Sequence, residues 1–226
     1  MSDPVLTVVL LLVWGTVVAL DLVSVPQMMI ARPLVAGTVA GWIAGDLASG
    51  FRLAVVMELF ALDVLPVGAA RYPDYGPATV GGAVLVAHHG SWEESLGLAV
   101  ALALVVASIG GWTLGRLRHR IGRAVQRSAP GLEAGDARTI ERLQLGSIML
   151  DASRGLLLTA VALILASLTE RYVTLDPGTA ALLSVIAIGS GIAAVIGGAL
   201  RSAGRGARLR WLVGGAMLGL LLVWLA

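Results

Sequence analysis

Residues 37–74 read GTVAGWIAGDLASGFRLAVVMELFALDVLPVGAARYPD, apolar enough to enter a bilayer yet carrying Asp46, Arg52, Glu58, Asp63, Arg71 and Asp74. An ionisable side chain at bilayer depth costs about 3 kcal/mol on insertion scales, so a segment that keeps several turns them toward a cavity, a partner or a substrate. Gly37, Gly41 and Gly45 recur every four residues and predict a smooth stripe where another helix backbone approaches closely. Pro66 and Gly68 interrupt the segment that begins at residue 53. Backbone groups freed inside a bilayer are tolerated only when buried or lining a polar cavity, so a binding site is expected here.

Working outward, the chain has 226 residues, of which 58% are hydrophobic and 13% charged, with a mean hydropathy of +0.90. A soluble domain of that length cannot hide so much apolar surface, so the fold class is all-α, a polytopic integral membrane protein in the lipid bilayer. Apolar runs at 5–20, 34–48, 53–65, 78–88, 96–114, 146–168, 179–200 and 211–226 give roughly 7–8 hydrophobic segments, with broken or re-entrant elements near 60–90. The opening run, without a basic leader, is expected to be retained as the first helix. One membrane domain is expected over 1–226: an N-terminal part, 1–115, with the site; a basic loop, 116–145; and C-terminal helices, 146–226. Arg116, Arg118, Arg120, Arg123 and Arg127 make that loop cytoplasmic by the positive-inside rule, as do Arg201, Arg205, Arg208 and Arg210 for the one that follows. The carboxyl terminus is then expected outside.

The candidate substrate-binding residues are Glu58, Asp63, Asp74 and Asp46, because carboxylates accept paired hydrogen bonds from neighbouring hydroxyls. Glu58 is the foremost of them, and an internal ion pair with Arg32, Arg52 or Arg71 is its alternative reading. Asp63 follows Glu58 by five positions, about 140° around a helix, so the two share a face only if the helix breaks, as Pro66 suggests. Asp46 caps or pairs as readily as it binds, and Asp74, after Pro73, could cap the next helix. Asp21 and Asp151 lie at ends of apolar runs and are expected to be solvated at the interface. His88 and His89 are adjacent, point to different helix faces and read as an interfacial cap rather than a phosphate or metal site. No cysteine is present, and no Ser-His-Asp, metal-ligand or phosphate-loop pattern is evident, so neither an independent enzyme nor a cofactor or metal site is expected. The basic run has no folded reading module, which argues against nucleic acid.

The pattern RPLVAGTVAGWIAGD, the core MELFALDVLPVGAA, the pair Pro73-Asp74 and the later ERLQLGSIMLDASRG resemble the IIC permease subunit of the mannose, fructose and sorbose family of the bacterial phosphotransferase system. The resemblance implies a sugar-translocating subunit of the bacterial cytoplasmic (inner) membrane, moving its substrate by an elevator-like displacement of a core domain. It also implies a homo- or hetero-oligomer with partners, a IID membrane subunit and soluble IIA and IIB phosphocarriers, with IIB performing phosphoryl transfer to the sugar. Arg71, the long basic loop and a compact Arg-rich linker between residues 200 and 211 motivate an alternative, a transport-inactive regulatory or docking membrane subunit of the same system.

Overall fold

The computed structural model describes residues 3–62, 71–88 and 90–199, together with Gly206, Arg210, Val213, Gly214 and Met217. Asp63, Pro66, Gly68 and His89 lie outside the described residues, as does nearly all of the C-terminal segment. Eight helices run in order among them: α1 Pro4–Asp21, α2 Pro33–Ala44, α3 Leu47–Leu62, α4 Tyr75–His88, α5 Trp92–Arg127, α6 Ala129–Glu133, α7 Ala137–Tyr172 and α8 Pro177–Ala199. Four of them, α1, α5, α7 and α8, are long and apolar enough to cross a membrane. The others are short: α2, α3 and α4, at 12, 16 and 14 residues, reach only about 18, 24 and 21 Å at 1.5 Å per residue.

α2 and α3 form an antiparallel hairpin. Gly45 ends α2 in the left-handed region, φ 97°, which a residue without a Cβ enters freely, and Asp46 starts α3 by accepting from the Ser49 amide at 3.0 Å. A Cβ on Gly41 would lie 2.6 Å from the Gly50 Cα, and one on Gly37 would meet Ala54 at 3.0 Å and Thr79 at 2.7 Å. The stripe expected to run through Gly37, Gly41 and Gly45 therefore divides. Gly41 faces the Gly50 backbone and Gly37 the side chains of Thr79 and Ala54, whereas no described residue lies within 4 Å of a Cβ at Gly45, whose part is to turn the chain.

α4 carries no charge along its interior and is buried nearly all round, from Gly76 to Val86. It sits at the centre, against α1, α2, α3, α5 and α7. Small residues bring the long helices onto it and onto one another: Gly81 against Ala162 of α7, Gly82 against Ala99 of α5, and Gly155 of α7 against Ala19 of α1. The outer faces, including Val5, Val13, Val105, Leu157, Ile164 and Val185, are exposed, as side chains in contact with lipid are.

The stretch 116–145, expected as a loop, is helical almost throughout. α5 and α7 each run for 36 residues, about 54 Å, against an apolar bilayer core of roughly 30 Å, so both continue beyond it. Arg116, Arg120, Arg123 and Arg127 recur at helical spacing on one face of α5, while Leu117 on another face is buried; an amphipathic helix, not a coil, satisfies that pattern. Asp136 caps α7, accepting from the Arg138 amide at 3.1 Å and the Thr139 hydroxyl at 2.6 Å; the Thr139 bond holds this exposed carboxyl below its ordinary range.

Candidate functional site

Asp21, Arg32, Glu58, Asp74, Asp151 and Arg154 gather around the loop from α1 to α2. The loop from α1 to α2 is folded back by Asp21, whose carboxylate accepts from the Met28 amide at 2.6 Å and the Ala31 amide at 2.9 Å. Met29 in that loop has φ 65°, a left-handed conformation that costs a residue with a side chain some strain. Arg32, which precedes α2, donates through Nε and Nη2 to Glu58 Oε1, the first at 2.7 Å, and Glu58 Oε2 accepts from the Leu34 amide at 3.1 Å. Glu58 thus answers both an arginine and the positive end of α2.

A second cluster lies beside it. Arg154 of α7 donates from Nη1 to Asp74 at 2.7 Å and from Nε to Asp151 at 2.8 Å, and the Ser24 hydroxyl donates to the other oxygen of Asp151. The side chains of Asp74 and Asp151 are 1% and 0% exposed and that of Arg154 is 8%. The Asp74 amide donates to Ala107 of α5 at 2.9 Å, so Asp74 joins α4, α5 and α7. Among the described residues, Asp74 Oδ1 and Arg154 Nη2 are buried and find no hydrogen-bond partner.

Between these clusters is a cavity of about 390 Å³, lined by Asp21, Gln27, Arg32, Tyr72, Tyr75 and neighbouring apolar groups that include Pro73. Tyr72 is fixed by Arg118 of α5, which donates to its hydroxyl and lies over its ring, 4.9 Å from the centroid. Amide and guanidinium groups beside two aromatic side chains can hold a neutral polyhydroxyl molecule by hydrogen bonds and stack on its apolar face.

The candidate acids are distributed unevenly around this cavity. Glu58 and Asp74 flank it through Arg32 and through the Tyr72–Gly76 segment, but neither is among its lining residues. The internal ion pair weighed for Glu58 exists, with Arg32 as the partner. Asp74 turns to Arg154 rather than capping α4. Asp46 is at the opposite tip of the hairpin, about 18 Å along α3 from Glu58, with Arg52 nearby stacked on Trp92 at 4.6 Å. His88, at that same end, contacts the Ala44 carbonyl at 3.3 Å.

The expectation that Asp21 and Asp151 are solvated is overturned: they are 2% and 0% exposed. Their position at helix ends suggested water, but backbone amides of the folded-back loop and Arg154 take its place. Arg154 and the tyrosines were missed as well. The signal for Arg154 was in the sequence, an Asp and an Arg three residues apart inside an apolar run, which is one helical turn. No group of three or more metal-ligating side chains occurs among the described residues.

Fold and site define a class: a polytopic, all-helical membrane protein with a largely apolar cavity that carries a few polar side chains at one end of its bundle. The family described as "PTS system sorbose-specific iic component" matches residues 5–203, and the chain belongs to it. The fructose permease IIC component of Bacillus subtilis is 31% identical over 170 residues, 75% of this chain and 61% of that one. The sorbose-specific EIIC component of Klebsiella pneumoniae is 43% identical over 79 residues, 35% of this chain and 29% of the relative. That of Lacticaseibacillus casei is 27% identical over 201 residues, 88% and 71% of the two. The match thus spans less than two thirds of the first two relatives. Among solved structures, one described as "Structure of membrane protein" superposes with a TM-score of 0.73 at 20% identity, over 99% of this chain and 96% of the other. A chain of the mannose transporter ManYZ in complex with microcin E492 superposes with a TM-score of 0.61 at 20% identity, over 100% and 89%. These two likenesses establish a shared fold.

Proposed function

We propose that this chain is the sugar-translocating IIC subunit of a phosphotransferase system in the bacterial inner membrane, and that it receives a monosaccharide in the cavity between the α1–α2 loop and Tyr72–Gly76. The observation that carries the reading is the lining itself: Gln27 and Arg32 bring an acceptor and donors to hydroxyls, Asp21 holds the loop that carries them, and Tyr72 and Tyr75 stand beside them. Glu58 and Asp74 act at one remove. Glu58 holds Arg32 in the wall, and Asp74, through Arg154, holds the chain that carries the tyrosines. Asp46 belongs to the hairpin turn and Asp63 completes the acidic set by sequence. The chain carries out no phosphoryl chemistry in this reading; a IID subunit shares the membrane pathway, and IIA and IIB supply the phosphoryl group, as membership of the family suggests.

The test is uptake of a labelled hexose by cells expressing the full subunit set, with binding to the purified chain and its IID partner measured alongside. Glu58→Gln leaves Arg32 without a charged acceptor. Since hydrogen bonds to charged groups are worth about 1.5–3 kcal/mol, affinity should fall by roughly 10- to 100-fold while the complex still assembles. Uptake equal to that of cells lacking this chain would defeat the permease reading and favour a docking subunit, for which the basic extensions of α5 and α7 provide a surface.

A further inference from the structure

A second cavity, of about 380 Å³, lies between α5 and α7 and shares Arg154 with the site described above. Its walls divide by chemistry along the helices. Ile109, Leu157 and Val161 line one end, and Arg116 and Arg120, both exposed, line the other, with the hydroxyl-bearing Thr113 and Ser153 in between. Arg154 also reaches this lining, and among the described residues no Asp or Glu does.

The gradient coincides with the helices' own change of character. α5 is apolar as far as Leu114 and becomes basic at Arg116, so Arg116 and Arg120 stand where the helix leaves the hydrocarbon layer. From there the groove runs into the apolar layer: Leu150 and Val161 are eleven residues apart on α7, about 16 Å along its axis. Arg116 is held in place over the Trp112 ring, 3.8 Å from its centroid. The cavity therefore presents two cations at headgroup depth above an apolar channel, and its unbalanced positive charge calls for an anion.

We infer that the α5–α7 groove is a binding site for an anionic phospholipid, the phosphodiester between Arg116 and Arg120 and one acyl chain along Leu157, Val161 and Ile109. Basic pockets between spanning helices select acidic headgroups by charge, and the acyl chain supplies the apolar area that a free phosphate lacks.

The full chain, extracted from vesicles of equal phosphatidylglycerol and phosphatidylcholine, would be examined by native mass spectrometry for retained lipid. Phosphatidylglycerol should be retained over phosphatidylcholine by roughly 30-fold, since two nearby arginines each favour an anionic headgroup. Arg116→Gln with Arg120→Gln, both at exposed positions, should bring the two lipids near parity. Leu157→Trp, which fills the apolar end and leaves the charges intact, should lower retention of phosphatidylglycerol. Equal retention of the two lipids by the unaltered protein, or a preference unchanged in the double variant, overturns the inference. So does displacement of phosphatidylglycerol by millimolar inorganic phosphate, which would make this a free-anion site, or occlusion of the groove by a IID subunit in the purified complex.

Discussion

Arg154 is the residue on which most of the buried charge depends. Replacing it with Leu leaves Asp74 and Asp151 together without a cation in a site closed to water. Removing one member of a buried pair costs about 3–5 kcal/mol, because the remaining charge is left desolvated. Arg154→Leu should therefore lower the thermal midpoint of the purified protein by several degrees, and Arg154→Lys, which keeps the charge but not the fork of donors, by less; an unchanged midpoint for Arg154→Leu would show that the cluster is not structural. At this scale the sequence was only partly legible. Glu58 and Asp74 stood out because they are charges in an apolar setting, and Arg32 was among the partners weighed for Glu58. What could not be read was direction: the same carboxylate chemistry serves a ligand or a neighbouring arginine, and only the fold brings Arg154 to Asp74 across 80 residues of chain.

Among the elements, the α2–α3 hairpin is the most exacting. The Gly41–Gly50 approach leaves no space for a methyl group against backbone, which unlike a side chain cannot turn aside. Gly41→Ala should cost about 1–3 kcal/mol by overpacking, whereas Gly45→Asn, at an αL position that tolerates Asn, should cost less. Comparing the two midpoints in one detergent checks this, and a larger loss for Gly45→Asn would refute the division of roles. Helix existence was well signalled by long apolar runs and Pro starts, so α1, α5, α7 and α8 were all anticipated. The ends of α5 and α7 were not, because an Arg-rich stretch with Pro130, Gly131 and Gly135 reads as loop by composition while its Arg spacing reads as helix by period. The break is confined to a short stretch: α6 begins two residues after α5 ends, and α7 follows at Ala137.

For the whole molecule, the opposite ends of α7 should face opposite sides of the membrane. The absence of cysteine makes the check direct, since a single introduced thiol is the only one to label. Glu133→Cys and Thr174→Cys, both at exposed positions, should react with an impermeant maleimide from opposite sides, Glu133→Cys from the cytoplasmic side as the nearby arginines require. Labelling of both from one side would contradict a crossing by α7. Composition alone made the membrane class legible, because no soluble surface could absorb 58% hydrophobic residues. The arrangement around α4 was not, for nothing in a 14-residue apolar run distinguishes a buried central helix from a re-entrant one. The distance in sequence between Asp74 and Arg154 also gives assembly an order in time. A ribosome adding about 5–20 residues per second makes the arginine roughly 4–16 s after the aspartate, so the amino-terminal helices enter the membrane with that acid still uncompensated and only the arrival of α7 closes the fold.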